Sequence, residues 1–313
     1  MLKYAVKRLL AAVPTFIGVI TLVFIIMRLV PGDPATLILG DRASREAVEA
    51  LREQMGLNEP LWRQYLEFMS GVVTGDFGRS LRTNQFVFVE VGRVLPYTAA
   101  LSVAGLLVGA MLGVSAGLIA AVRRGTTVDY LISAAATLGV SMPVFTLGMV
   151  LLIVFSYNLG WFPSIGAGQP GVLIDQLRSL VLPALALGLS SAALIARMTR
   201  SSVLEVLGQD FVRTATAKGL RDRRVVIKHV LRNALIPIVT ILGLSFGRMM
   251  GGSTITETLF VRPGLGRLLI ESMYARDYTQ VEAAVAFFAV TFIFINLVVD
   301  LSYAALDPRI QYG

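Results

Sequence analysis

The residues with the clearest capacity for chemistry form a basic segment, Asp210–Arg232, in the second half of the chain. Within it, Phe211, Ala215 and Gly219 recur every four residues, which would place them on one face of a helix. A short helix with one aromatic anchor, small neighbours and flanking cations suits insertion into a groove on an acidic partner. The same spacing also allows an interfacial basic helix that is held by anionic lipid.

Other motifs that carry chemistry are missing from the sequence. It contains no G-x-x-x-x-G-K-[ST] loop, so we expect no ATP site of the P-loop type. The single histidine, His229, excludes an H-E-x-x-H zinc site, and a catalytic base would need a partner to orient it. The absence of cysteine excludes disulfides and thiolate chemistry. We therefore predict no metal, no cofactor and no catalytic site on this chain, which disfavours an intramembrane enzyme.

The composition indicates a membrane protein. The 313 residues are 55% hydrophobic and 15% charged, whereas a soluble domain carries about 25% charged residues. The net charge of +8 raises nucleic-acid binding as an alternative. However, the cations lie in short loops beside apolar runs, as membrane topology requires, so we predict no nucleic-acid partner.

Six apolar runs are long enough to cross a bilayer, which takes about 20 residues each. We therefore predict an all-α integral membrane protein with six transmembrane helices. The first run exceeds the apolar core of a signal peptide and is expected to be retained. The predicted spans are Leu9–Val30, Thr98–Val122, Leu131–Leu159, Leu180–Ala196, Leu235–Ile255 and Ala283–Leu306.

The distribution of charge predicts the orientation. Lysine and arginine beside short loops stay in the cytoplasm, and exporting the cluster Arg221–Arg232 would be unfavourable. Both termini are therefore expected to be cytoplasmic, with residues 1–30 forming the N-terminus and first span and 307–313 the C-terminus. Residues 31–97 form an extracytoplasmic helical region, with helices over Ser44–Met55 and Leu61–Met69. Residues 98–306 form a five-helix core that contains a cytoplasmic loop, 197–233.

Ionisable groups inside the predicted spans are few. Arg248 lies within the fifth run and either snorkels outward or lines a polar cavity. Glu257 lies just beyond it. An ion-driven carrier usually buries several carboxylates near the membrane midplane, so the energy source is expected on another polypeptide. A secondary transporter remains the alternative.

Small residues recur every four positions in two runs, at Gly105, Gly109, Gly113 and Gly117, and at Gly243, Gly247 and Gly251. This spacing allows helices to approach closely. Packing within the chain and a helix that slides or pairs with a second subunit both explain it.

Several blocks, in order along nearly the whole chain, resemble the membrane subunit of ABC importers of the dipeptide/oligopeptide/nickel permease family. The blocks begin with Pro31-Gly-Asp-Pro and Gly75-Asp-Phe-Gly. They continue through Arg197-Met-Thr-Arg-Ser-Ser, Asp210-Phe-Val-Arg-Thr-Ala, His229-Val-Leu-Arg-Asn-Ala, Pro263-Gly-Leu-Gly-Arg and Leu306-Asp-Pro-Arg-Ile. Each block is weak alone, whereas their order and spacing are specific.

The resemblance implies a type I ABC importer-like fold in a bacterial cytoplasmic membrane and a small-peptide substrate. Dipeptides, oligopeptides, glutathione-like peptides and nickel chelates are all carried by this branch, and the sequence does not select among them. It implies a second, distinct permease, two cytoplasmic ATPase subunits that hold ATP and Mg, and an extracytoplasmic substrate-binding protein. The family's coupling helix docks into a groove on the ATPase. The matching residues here are Phe211, Arg213, Thr214, Ala215, Ala217, Lys218 and Gly219. Arg213 and Thr214 replace the Glu and Ala of the broader importer signature, which favours the peptide branch.

Two further sets of residues are candidate sites. Contact with the binding protein is expected at Asp76, Pro263, Gly264 and Gly266. Arg248 and Glu257 are candidates for the translocation path.

Overall fold

The computed structural model describes residues 2–29, 32–40 and 43–306, and the predicted C-terminal segment 307–313 lies outside them. The described chain is almost entirely helical. Within it, the only extended pairing is an isolated antiparallel bridge between Arg79 and Phe86.

The helices are labelled in chain order. They are α1 Leu2–Leu29, α2 Pro34–Leu39, α3 Arg45–Gln54, α4 Leu61–Thr74, α5 Val87–Val122, α6 Thr127–Ser141, α7 Val144–Leu151, α8 Leu173–Leu207, α9 Asp210–Ala217, α10 Asp222–Arg224, α11 Arg232–Leu259, α12 Leu265–Tyr274 and α13 Tyr278–Leu306. Two π-helical segments, Leu152–Asn158 and Val225–Leu231, continue α7 and join α10 to α11.

Among the described residues, five helical stretches are long and apolar enough to cross a membrane: Leu10–Leu29, Val87–Val122, Leu173–Leu207, Asp222–Gly251 and Tyr278–Val298. A sixth span results if Thr127–Ser141 and Val144–Asn158 count as one. The six-helix architecture is therefore confirmed.

The third predicted span, Leu131–Leu159, is not one straight helix. Its two halves are bent by 104° around Met142 and Pro143. Proline lacks an N–H and disfavours helical geometry in the residue before it, and Met142 is extended at φ −88° and ψ 121°. The bend is the physical consequence of that sequence.

The other spans are longer than their apolar runs predicted. The second begins at Val87 rather than Thr98, and the fourth extends over Leu173–Leu207. Polar residues at the ends continue these helices beyond the apolar centre. Of the smaller helices, α3 begins as predicted because the Ser44 hydroxyl accepts a hydrogen bond from the N–H of Ala47 at 3.2 Å. Helices α2 and α12 were not predicted.

The chain forms two compact units. The larger consists of the described residues of Met1–Val6, Ala99–Arg262 and Phe294–Gly313, and the smaller consists of Lys7–Thr98 and Pro263–Ile293. In the larger unit, α8 packs against α6, α7 and α11, and 61% of its most apolar stretch is buried, the highest share among the five unbroken spans described. Helix α8 is therefore the core of that unit.

Helix α5 approaches α8 through its glycine row. A Cβ added at Gly105 would lie 3.1 Å from Leu187 Cβ, and one at Gly113 would lie 2.7 Å from the Ala192 carbonyl oxygen. Gly251, in contrast, has nothing within 4 Å of an added Cβ. Packing within the chain therefore accounts for the glycine row of α5.

Candidate functional site: a helix between two spans

Helix α9 is the isolated short helix between spans α8 and α11. Its eight residues, Asp210–Ala217, begin after Gln209, whose backbone is extended at φ −79° and ψ 149°. The helix ends at Lys218, and Gly219 then takes the left-handed conformation at φ +78°. Glycine adopts this conformation without strain, so the sequence defines where α9 stops.

The inner side of α9 rests on an apolar cluster, here called the seat cluster. It consists of Ala121, Val203, Val206, Val212, Val225, Val230, Ala234 and Ile238. Val212 is the contribution of α9 and is 5% exposed. The other members come from the ends of α5 and α8, the π-helical segment and the start of α11. The position of α9 is therefore tied to the ends of three spans.

The outer side of α9 carries the predicted docking residues. Phe211 is 39% exposed although it is large and apolar, and the Arg213 side chain is 78% exposed. Arg213 lies 3.7 Å from the Asp210 carboxylate, an exposed pair that contributes little stability. Thr214, Ala217 and Lys218 are also exposed. Among the residues that the structure describes, no element covers the outer side of α9, so Phe211 is left exposed.

One residue of the predicted helical face lies outside the helix. Phe211 and Ala215 are four positions apart in α9, and Ala215 is partly buried and packs against the seat cluster, whereas Gly219 lies beyond the end of α9. The prediction that Phe211, Ala215 and Gly219 share one helical face is therefore wrong for Gly219. The sequence-based reasoning also omitted Val212, although an apolar residue three positions before Ala215 is a signal for a buried face.

The two candidate path residues, Arg248 and Glu257, are nine positions apart in α11. At about 100° per residue this separation is two full turns and about half a turn more, so they lie on opposite faces of the helix. Arg248 is exposed, and its guanidinium donates to the Ser245 hydroxyl at 3.4 Å. Glu257 is fully buried, and its carboxylate accepts from the Ser253 hydroxyl at 3.1 Å. Their role in a translocation path stays a prediction.

The predicted binding-protein contacts all lie in the smaller unit. Asp76 is exposed, and its carboxylate accepts from the N–H of Gly78 at 3.0 Å. Pro263 is partly buried, whereas Gly264 and Gly266 are buried at the start of α12. There the N–H of Leu265 donates to the Thr98 hydroxyl at 2.7 Å. The contact role of these residues stays a prediction.

The smaller unit also contains a cavity of about 1050 Å³ with a mixed lining. Its charged residues include the ion pairs Arg28–Glu282 and Arg52–Asp33. Burial of Asp33 opposes its ionisation. Hydrogen bonds from Thr36, Arg52 and the N–H of Ala35, with the nearby Arg52 charge, outweigh this and hold the pKa of Asp33 below its usual value.

No group of three or more histidine, cysteine, aspartate or glutamate side chains in the described part of the chain has a geometry that could hold a metal ion.

Helices long enough to span a membrane, with a short, partly exposed helix resting on the ends of three of them, define a polytopic membrane protein. The comparison with known families identifies it further. Residues 1–102 match the N-terminal model of the binding-protein-dependent transport system membrane component, and residues 113–312 match the binding-protein-dependent transport system inner membrane component. The chain belongs to this family and is the permease subunit of an ATP-driven importer rather than an enzyme.

Individual relatives agree with this assignment. The chain is 45% identical over 312 residues to the glutathione transport system permease protein GsiC of Escherichia coli strain K12, and the match covers 100% of both chains. The match to GsiC of Escherichia coli O6:H1 is 44% over the same length. The resemblance inferred from the sequence blocks is confirmed, and nothing supports the ion-driven alternative.

Solved structures support the fold. The inward-facing MetNI methionine ABC transporter matches with a TM-score of 0.57 and 21% identity, over 69% of this chain and 96% of that one. An amino acid ABC transporter with histidines matches with a TM-score of 0.53 and 17% identity, over 69% and 94% of the two chains. At these identities the likeness concerns the fold alone.

Proposed function

We propose that α9 is the coupling helix of this permease, that it docks into a groove on a cytoplasmic ATPase, and that the transported substrate is a small peptide. The observation that carries the proposal is that α9 is buried on its inner side and exposed on its outer side. Val212 is buried in the seat cluster, while Phe211 and Arg213 are exposed one residue to either side. A partner that holds the outer side can therefore move the ends of three spans through the inner side.

The orientation in the membrane follows from charge. Both termini and the loop 197–233 are cytoplasmic, because the alternative would export the cluster Arg221–Arg232 against its strong preference for the inner side. The region 31–97 then lies outside. In this arrangement α9 and the smaller unit's exposed Asp76 serve different partners.

The partners are those that an importer of this class requires. A second, distinct permease completes the translocation path, two ATPase subunits bind ATP and Mg, and an extracytoplasmic binding protein delivers substrate. Asp76 and Pro263 contact the binding protein, while the buried Gly264 and Gly266 form the start of α12 beside this contact. The exposed Arg248 faces the translocation path. The buried Glu257 stabilises the C-terminal part of α11 through its hydrogen bond with Ser253. The membrane is the cytoplasmic membrane of a bacterium.

The substrate class follows from the relatives. Since GsiC is a glutathione transport permease and matches along the whole chain, we place the substrate among short peptides of similar size. Separate uptake measurements with labelled glutathione and with a labelled dipeptide, in proteoliposomes that contain the complete transporter, show which of these two peptides is transported.

Transport follows an alternating-access cycle. ATP binding closes the ATPase pair, α9 moves with it, and the seat cluster carries this motion to α5, α8 and α11. The binding protein releases the peptide into the outward-facing path. Coupling arises because the ATPase contacts α9 differently in its two states, and distance alone would not provide it.

The test is Phe211→Asp in the complete transporter reconstituted with its binding protein. An acid in place of the aromatic anchor removes apolar contact and repels an acidic groove, so peptide uptake per ATP hydrolysed should fall. Ile227→Asp is the matched control, since Ile227 is also an exposed apolar residue but lies outside α9. Unchanged coupling in Phe211→Asp, or an equal loss in both variants, would reject α9 as the docking element.

A further inference from the structure

An ion pair in the larger unit joins α6 to α8, whereas the seat cluster contains no described residue of α6. Asp129, in the first turn of α6, is 2% exposed, and Arg200 lies near the end of α8. The Arg200 Nε donates to Asp129 Oδ1 at 2.6 Å, and Nη2 donates to Oδ2 at 2.8 Å. The pair is therefore bidentate, which fixes the relative orientation of both side chains as well as their distance.

The Asp129 carboxylate also holds the turn between α5 and α6. The N–H of Gly125 donates to Oδ2 at 3.0 Å, and the Ser133 hydroxyl lies 3.4 Å from Oδ1. Gly125 has a left-handed backbone at φ +76°, so the turn can bring its N–H to the carboxylate without strain. One buried carboxylate thus connects this turn, α6 and α8.

The pair lies next to the elements that hold α9. Arg200 is one turn of α8 before Val203, a member of the seat cluster. Among the described residues, α6 contributes no side chain to that cluster. The remaining contact between α6 and α8 includes small residues, and an added Cβ at Gly139 would lie 3.0 Å from the Ala193 Cβ. Surfaces of small residues can slide, whereas a bidentate ion pair resists sliding.

We propose that Asp129 and Arg200 form a coupling strut, a positioning pair that carries the motion of α9 and α8 to α6. Helix α6 leads directly into the 104° bend and α7, so the strut extends the reach of the ATPase to the broken third span. This inference rests on the proposed function of α9. The pair acts through the helices that it joins, and its proposed role requires no contact with substrate.

A structural role alone would predict a different result from a coupling role. Removing one partner leaves a buried charge, which destabilises any protein. A destabilised permease loses uptake and ATP hydrolysis together, in proportion to the folded fraction. A broken strut leaves the ATPase attached and active, and lowers only the number of peptides transported per ATP hydrolysed.

The experiment uses Arg200→Lys in the complete transporter in proteoliposomes, with binding protein and labelled peptide. Lysine keeps the charge opposite Asp129 but cannot form both bonds of the fork. We expect peptide uptake per ATP to fall at least about fivefold, the lower end of usual coupling factors, while ATPase subunits co-purify as before. Arg178→Lys is the matched control, because Arg178 lies at the opposite end of α8 and donates to the Trp161 carbonyl oxygen at 2.9 Å.

If Arg200→Lys does not assemble, the double variant Asp129→Asn with Arg200→Gln removes both charges and gives the same readout. Wild-type uptake per ATP in a folded variant, or parallel losses of uptake and hydrolysis, would overturn the strut. Phe211→Asp separates the two proposals. If it uncouples transport and Arg200→Lys does not, only the strut fails, whereas if it has no effect the docking role of α9 fails.

Discussion

Replacing Gly113 with alanine tests the close contact between α5 and α8 at single-atom level. The added Cβ would lie 2.7 Å from the Ala192 carbonyl oxygen, 2.7 Å from Ile195 Cβ and 2.8 Å from Ile195 Cγ2. Ordinary van der Waals contact begins at 3.4 Å. Two of the three atoms belong to the backbone or the Cβ of α8, so a change of rotamer cannot relieve the clash, and the helices must separate.

The expected change in the free energy of unfolding follows from two opposing effects. Overpacking of this kind costs about 1–3 kcal/mol. Alanine in a helix gains about 1 kcal/mol over glycine. Gly92→Ala is the matched control, since Gly92 is also in α5 but has nothing within 4 Å of an added Cβ. The difference between the two variants cancels the helix propensity and leaves about 1–3 kcal/mol, which corresponds to a midpoint difference of several degrees.

The assay is the thermal midpoint at which detergent-solubilised permease loses its monodisperse peak. Gly113→Ala should denature several degrees below Gly92→Ala, and Gly92→Ala should equal or exceed the wild type. Equal midpoints for the two variants would refute the packing of α5 on α8 described above.

Three further predictions concern other parts of the chain. Val212→Ala removes two buried methyl groups, worth about 1.6 kcal/mol, so trypsin should cleave α9 about tenfold faster, whereas the exposed Thr214→Ala should not change the rate. Because the pKa of Asp33 is lowered in the folded state, its carboxylate contributes stability at pH values above its ordinary pKa near 4, and this contribution is lost as the pH falls through the lower folded pKa. Asp33→Asn should therefore lose less thermal stability than wild type between pH 5 and pH 3. Because the chain has no cysteine, an impermeant maleimide should label Asp76→Cys in intact cells with a permeable outer envelope, and Thr214→Cys only after the cytoplasmic membrane is opened; labelling of both, or of Thr214→Cys alone, would contradict the orientation.

The spans could be predicted from the sequence because apolar length determines whether a helix crosses a bilayer. The N-terminus of α3 could also be predicted, since Ser44 provides a local signal. The ends of α5 and α8 could not, because charged residues such as Glu90 in α5 and Asp175 in α8 interrupt the apolar run without ending the helix. A break in the helix at Met142 could have been predicted, because Pro143 follows it. The angle of the bend could not be predicted from the sequence.

The candidate site was predictable only in part. Phe211 and Arg213 could be selected as docking candidates from the sequence, and their role stays a prediction. The sequence could not show which side of α9 faces the chain, because that depends on residues distant in sequence such as Ala121 and Val225. The pair Asp129–Arg200 joins positions 71 residues apart, and no local pattern in the sequence connects them.

The most direct test of the central claim is cross-linking from the outer side of α9. Thr214→Cys, the only cysteine of the permease, is labelled with a photoreactive maleimide in the complete transporter and irradiated. We expect Thr214→Cys to form an adduct with the ATPase subunit, and Ile227→Cys, as the control, to form a weaker one. An adduct with lipid alone, with none to the ATPase, would contradict the docking of α9 and would favour a helix held at the membrane surface.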